Sequence, residues 1–92
     1  MKQPRPRARE EEVIQVEVRS DAKGRVRPRA FTWRSSRRVI TSLGRTWLEG
    51  DERHYLVLVA QDRAYELAES PEGWRLIRRP EDFGPSHKRH TV

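Results

Sequence analysis

The sequence predicts a small all-β domain, an antiparallel meander of five to six strands curled into an SH3-like barrel or a bent sheet. Short segments alternate apolar and polar side chains, and those segments are rich in Val, Ile, Tyr and Trp. Turn-forming residues recur between them. The 92 residues are enough for one domain, placed at 12–80. A disordered basic arm at 1–11 and a flexible tail at 81–92 flank it.

The first predicted strand covers residues 13–19 and alternates cleanly. One face carries the β-branched side chains of Ile14, Val16 and Val18. The other face is polar, so the pattern indicates a half-buried strand. Asp and Gly supply turn chemistry in the segment that follows, residues 20–24.

The next segment is extended at residues 25–28, because a residue that precedes proline avoids helical backbone angles. Pro28 cannot donate a ladder hydrogen bond and belongs at a sheet edge or a strand start. Residues 30–34 form the second strand. Phe31 and Trp33 lie two apart, share a face and are expected in the core. A polar turn at Ser35 and Ser36 ends the segment.

Residues 37–48 are predicted as the longest strand. Their apolar positions switch phase, and Gly44 indicates a bulge or a sharp bend at the switch. A helix over 38–48 is the competing interpretation, because helical spacing relates Ile40, Leu43 and Trp47. The β-branched residues and the glycine favour the strand.

Three further strands complete the sheet. Residues 54–60 are almost continuously apolar, as in a central strand covered on both faces. A tight loop at 61–63 leads to an alternating strand at 64–68. A turn with well-placed proline and glycine at 70–73 precedes the last strand, residues 74–79.

Composition excludes several classes of protein. The absence of cysteine excludes disulfides, thiolate metal sites and a cysteine nucleophile. The longest apolar run, residues 55–60, is far shorter than the roughly 20 residues that span a bilayer. The basic N-terminus leads into acidic residues 10–12 and not into an apolar stretch, so it is not a signal peptide. We expect a cytoplasmic protein without membrane contact, of undetermined oligomeric state.

The charge is strongly basic. The sequence contains 20 Lys and Arg against 14 Asp and Glu, a net charge of +6. Such a charge is typical of proteins that bind nucleic acid or another polyanion. However, 17 of the 20 basic residues are arginine, and codon bias in a GC-rich genome produces the same excess. Both explanations remain open.

One stretch, residues 23–38, concentrates this charge and contains no acid. Its candidate nucleic-acid-binding residues are Lys23, Arg25, Arg27, Arg29, Arg34, Arg37 and Arg38. Arg25, Arg27 and Arg29 alternate, so an extended chain would project them to one side about 7 Å apart. The alternative is a solvated face whose arginines pair with nearby carboxylates.

The sequence contains no catalytic constellation. His54 is the only histidine within 12–80, and no pattern supplies a nucleophile or an orienting partner for it. The acids fall on predicted loops and exposed strand faces. His87 and His90 lack further ligands for a metal. We therefore predict no enzyme, no cofactor and no metal site.

The segment Pro28-Arg29-Ala30-Phe31-Thr32-Trp33-Arg34 resembles a small bacterial domain family of unknown function with a Pro-Arg-x-Phe-Thr-Trp-Arg-Gly segment. The likeness covers about residues 12–79. It continues through Trp47, Tyr55, Tyr65-Glu66-Leu67 and Gly73-Trp74-Arg75-Leu76. Ser35 stands where that family has glycine. Some members are encoded near error-prone DNA polymerases, which implies an accessory association with DNA repair and assigns no site residue.

These observations predict a non-catalytic module that binds DNA or RNA weakly and with little dependence on sequence. The alternative function is an adaptor that binds a protein partner through a strand edge or an exposed aromatic patch, in association with DNA repair.

Overall fold

The computed structural model describes residues 12–83, which form one curled antiparallel sheet. Its strands are β1 (Glu12–Ser20), β2 (Val26–Trp33), β3 (Ser36–Val39), β4 (Ser42–Glu49), β5 (Glu52–Val59), β6 (Arg63–Ser70) and β7 (Gly73–Arg78). The predicted all-β class and the bent antiparallel sheet are confirmed. The described range has seven strands, more than the five to six predicted.

The strand order is β3-β2-β1-β7-β6-β5-β4, so two consecutive meanders lie side by side. The first meander contains β1 to β3 and the second contains β4 to β7. A short ladder joins them, in which Glu12, Val13 and Ile14 of β1 pair with Leu76, Arg75 and Trp74 of β7. The sheet therefore has its first and last strands in the middle and two chain-adjacent strands at its edges. It curls into a half-barrel.

The predicted long strand at 37–48 is divided into β3 and β4. The two residues between them bond to opposite ends of the sheet: the Ile40 N–H donates to the Arg29 carbonyl (2.9 Å), and the Thr41 N–H donates to the Leu58 carbonyl (2.8 Å). Local alternation cannot reveal such a change of pairing partner, because both halves remain extended. The helical alternative for 38–48 is wrong.

The bulge predicted at Gly44 is confirmed. The β4–β5 register shifts between Leu43 and Thr46, where β4 has one residue more than β5. A Cβ atom at Gly44 would lie 3.2 Å from the Leu56 carbonyl oxygen. Glycine therefore lets β4 approach β5 closely at the bend.

A second bulge lies in β2. Val18 pairs with Pro28 and Glu17 pairs with Ala30, which leaves Arg29 without a partner in β1. The extra residue shifts the phase of β2, so that Pro28 and Phe31 both become buried. β3 pairs with β2 only from Ala30 onward, and Pro28 thus needs no donor on that side.

The β2–β3 hairpin turns on two residues, Arg34 and Ser35, with φ of 54° and 63°. Positive φ at both central positions matches the right-handed twist of the strands. Glycine adopts this conformation without strain, whereas a residue with a Cβ atom does not. The predicted turn at Ser35 and Ser36 is thus displaced by one residue.

The core lies on the concave face and contains both aromatic residues predicted to occupy it. Phe31 and Trp33 are buried and meet the fully buried Tyr65 edge to face, with centroids 5.1 and 6.1 Å apart. The Trp33 indole Nε1 donates to Glu12 Oε1 (2.9 Å). Burying a side chain of this size contributes on the order of 2–3 kcal/mol, so this trio dominates the small core.

The described chain ends in a short 3-10 helix, Pro80–Phe83, three residues past the boundary predicted at 80. The Arg78 guanidinium lies 4.4 Å from the centre of the Phe83 ring. The predicted arm at 1–11 and most of the predicted tail lie outside the described residues. No helix among residues 12–83 is long and apolar enough to cross a membrane.

Candidate nucleic-acid interface

A groove lies between the first residues of β2 and the edge strand β4. Residues 26–28 of β2 have a ladder partner only in β1, and β4 is the opposite edge. The groove between them encloses about 590 Å3. Its lining, which we call the arginine groove, consists of Arg25, Val26, Arg27, Leu43, Gly44, Thr46, Arg53, Tyr55 and Glu69.

The arginine groove contains three arginines and one carboxylate, Glu69, which forms no ion pair with any of them within 4.0 Å. Arg27 and Arg53 have no acidic side chain within 4.0 Å among the residues that the structure describes. Arg25 forms one exposed ion pair, with its Nε 3.5 Å from Asp21 Oδ2. Exposed pairs of this kind are weak, and the arginine easily exchanges its partner for another anion. The guanidinium groups of Arg53 in β5, Arg27 in β2 and Arg25 just before β2 are therefore available to a ligand.

Asp21 also shapes the β1–β2 turn that positions Arg25. Its Oδ1 accepts hydrogen bonds from the Lys23 and Arg25 backbone N–H groups, both at 2.9 Å. The bond from the Arg25 backbone is the main reason why the pKa of Asp21 lies below its ordinary value. The turn is therefore held by an ionised carboxylate at neutral pH.

Tyr55 and Glu69 give the arginine groove a polar wall. The Tyr55 hydroxyl donates to Glu69 Oε1 (3.0 Å), and its ring lies 5.3 Å from that of Trp74. Burial raises the pKa of Tyr55 to about 12, and the bond to Glu69 and its charge add to the shift, while Arg53 opposes it. Tyr55 is thus a neutral donor that orients the carboxylate.

The structure distributes the seven candidate residues predicted at 23–38 over several environments. Only Arg25 and Arg27 line the arginine groove. Lys23 lies in the adjacent turn and is exposed. Arg29 is the extra residue of the β2 bulge; it is exposed, as Arg25 and Arg27 are, but it does not line the arginine groove.

The remaining three arginines have other contacts. Arg37 forms a two-pronged bond with Glu17 at 2.7 and 2.8 Å, and its side chain is the main reason why the pKa of Glu17 is lowered. Arg34 lies 4.5 Å from the Trp33 ring centre. Arg38 covers the same ring at 5.2 Å and is half-buried. Arg37 and Arg38 therefore have partners within the sheet and lie outside the arginine groove.

Arg53 belongs to the arginine groove but not to the basic stretch. It follows Glu52 at the start of β5, 26 positions after Arg27 in the sequence. Only the curl of the sheet brings the two strands to one groove. Charged residues are common at exposed positions where a strand begins. The sequence around Arg53 therefore does not indicate that it lines the groove.

The basic charge of the chain is unevenly distributed. Residues 12–83 contain 14 basic and 12 acidic side chains, a net charge of +2, whereas the whole sequence has 20 and 14. Most of the excess therefore belongs to residues 1–11 and 84–92. Any preference of the folded part for anions arises from local arrangement more than from net charge.

A second polar cluster lies inside the sheet. His54 and Glu66 are buried, and His54 Nδ1 lies 2.7 Å from Glu66 Oε2. The Arg78 Nε donates to Glu66 Oε1 (2.7 Å), so the carboxylate receives two strong contacts. The Trp47 ring stacks on the imidazole at 5.4 Å. The prediction that the acids fall on loops and exposed strand faces is wrong for Glu66, which no sequence pattern indicated as a partner for His54.

This cluster stabilises the sheet and does not line the arginine groove. His54 Nε2 is buried without a hydrogen bond, 3.4 Å from Glu52 Oε1, and Glu52 also contacts Arg75. Within residues 12–83, no three His, Cys, Asp or Glu side chains are arranged to hold a metal ion. His87 and His90 lie outside that range.

Comparison with protein-family models, curated proteins and solved structures gave no significant match. The resemblance noted around Pro28–Arg34 therefore depends on those sequence segments alone.

Proposed function

We propose that this chain is a non-catalytic module that binds nucleic acid weakly and with little dependence on sequence, through the arginine groove. The observation that carries the proposal is that Arg25, Arg27 and Arg53 line one groove, and that Arg27 and Arg53 have no carboxylate within 4.0 Å among residues 12–83. Guanidinium groups match phosphate oxygens in geometry and charge. Phosphate is therefore the ligand group that three neighbouring arginines bind best.

The expected affinity is modest. Three phosphate contacts give a slope of log K against log salt of about −2 on a single strand. Non-specific binding of this kind has dissociation constants of roughly 1 to 100 μM at physiological salt. The basic residues outside 12–83 add further contacts that do not distinguish sequences.

The test is a titration of labelled oligonucleotides with the full chain at two salt concentrations, about 50 and 200 mM. The variant is Arg27→Gln with Arg53→Gln. The matched control is Arg37→Gln with Arg63→Gln, which removes the same charge from outside the groove. We expect the groove variant to bind about tenfold or more weakly and to reduce the salt slope by about 1.4, with a much smaller loss in the control.

Two results would count against the proposal. The first is the absence of binding to any oligonucleotide at low salt. The second is an equal loss in both double variants, which would mean that total charge and not the groove governs binding. Circular dichroism of each variant checks that the sheet is retained.

The alternative of a protein adaptor that accepts an added strand has less support. Pro28 removes a donor from the exposed edge of β2, and the Gly44 bulge interrupts the edge of β4. Both features are ways in which proteins block edge-to-edge pairing. An association with DNA repair depends only on the sequence resemblance. Recovery of a stable protein partner by the groove variant and the wild type alike would favour the adaptor.

A further inference from the structure

The arginine groove contains one carboxylate, Glu69, among its arginines. Arg53 and Glu69 are direct cross-strand partners of β5 and β6, yet they form no ion pair within 4.0 Å. Glu69 Oε1 accepts the Tyr55 hydroxyl at 3.0 Å. Oε2 has no hydrogen bond or ion pair among residues 12–83. The carboxylate is therefore held in place and remains able to accept further hydrogen bonds.

A carboxylate repels phosphate, so it does not assist the binding of a nucleic-acid backbone. It attracts N–H donors, and an ionised carboxylate accepts about four hydrogen bonds in total. Among the bases, guanine offers two adjacent donors, N1–H and the 2-amino group, on its Watson–Crick edge. Adenine and cytosine offer one amino group, and uracil offers one imino N–H. The wall formed by Tyr55 and Glu69 thus matches guanine best.

The rest of the arginine groove suits one unstacked nucleotide. Its volume, about 590 Å3, lies within the roughly 300–1,000 Å3 typical of small-ligand sites. Val26 and Leu43 supply apolar contacts for the face of a base. The guanidinium groups remain for the phosphates on either side. Only a single strand exposes the edge of a base in this way.

We propose that Glu69 gives the arginine groove a preference for guanine in single strands. The inference rests on the proposed function and deepens it. Binding remains weakly sequence-dependent overall, because one base in the groove is selected and its neighbours contribute phosphates alone. Tyr55 acts as a positioning residue for the carboxylate.

The test uses pentanucleotides of uridine in which the central base is guanine, 7-deazaguanine, hypoxanthine or uracil. Hypoxanthine lacks the 2-amino group, and 7-deazaguanine keeps both donors. We expect guanine and 7-deazaguanine to bind equally and about fivefold or more tightly than uracil. Hypoxanthine, which offers one N–H donor as uracil does, should also bind more weakly than guanine. Fluorescence anisotropy at low salt, with the full chain, measures the four affinities.

The variant Glu69→Gln keeps an acceptor for Tyr55 and removes the charge. It should abolish most of the guanine preference, whereas Glu72→Gln, an exposed carboxylate outside the groove, should preserve it. Equal affinity of the wild type for all four pentanucleotides would overturn the base preference and leave the proposed function standing. Uniform tightening of all four by Glu69→Gln would do the same. Absence of binding to every pentanucleotide would overturn both.

Discussion

Replacement of Glu66 by glutamine should destabilise the sheet severely. Glu66 joins β6 to β5 through His54 and to β7 through Arg78. Glutamine keeps the size of the side chain but has no charge and one acceptor oxygen, so its NH2 group would face either His54 Nδ1 or Arg78 Nε. The variant therefore loses the charge-assisted character of both contacts and the favourable geometry of one of them.

The expected cost can be worked out from the two contacts. The His54 and Glu66 side chains are only 5% and 6% exposed, so their bond contributes about 2–3 kcal/mol. The Arg78 side chain is 44% exposed, and solvent screening reduces its share to about 0.5–1 kcal/mol. The sum, about 3 kcal/mol, is a large fraction of the roughly 5–10 kcal/mol expected for a domain of this size.

Urea unfolding followed by circular dichroism measures this loss, and the melting temperature should fall by about 12–20 °C. Glu72→Gln is the matched control, because Glu72 is exposed and bonds only to nearby Ser70. It should change the free energy of unfolding by less than about 0.5 kcal/mol. A loss below about 1 kcal/mol for Glu66→Gln would refute the assignment of Glu66 as the centre of a stabilising network.

Three further predictions concern other positions. Ser35→Gly should stabilise the fold by about 0.5 kcal/mol in urea unfolding, because relief of positive φ exceeds the added entropy of the unfolded chain; Ser36→Gly, in β3, should not. The Tyr55 hydroxyl, with its pKa raised to about 12 by burial and by Glu69, should lose its proton two units above an ordinary tyrosine in an absorbance titration. Because the folded pKa exceeds the unfolded value, its contribution of at most about 2.7 kcal/mol is present below pH 10 and is lost as pH rises to about 12; a Tyr55→Phe variant with unchanged alkaline unfolding would contradict this. Asp21→Asn should tighten oligonucleotide binding about threefold by releasing Arg25, and unchanged anisotropy titrations would exclude that role.

Much of the sheet follows from local sequence patterns. The alternation around Ile14 predicts β1. The two-residue spacing of Phe31 and Trp33 predicts that both are buried on one face, because strand faces repeat every two residues. Gly44 marks its bulge for steric reasons that act within a few residues. Such signals need no knowledge of the partner strand.

The arginine groove depends on long-range geometry that a local pattern does not contain. The division at Ile40 and Thr41 is a change of partner between the two sheet edges, and the surrounding residues stay extended throughout. Arg27 and Arg53 line the same groove only because the sheet curls. Glu66 resembles any polar residue of an alternating strand, and its burial depends on His54 and Arg78 from the two neighbouring strands.

The topology also affects how two molecules can combine. The two meanders are joined covalently at Ile40 and Thr41, and otherwise by the short ladder between β1 and β7 and by the packing of Phe31 and Trp33 on Tyr65. If that ladder opens, the first meander of one molecule finds the same hydrogen-bonding partners in the second meander of another. Exchange of identical elements reforms every native contact of the ladder and costs mainly the entropy of association. We therefore expect refolding at high protein concentration to favour an exchanged dimer over the closed monomer.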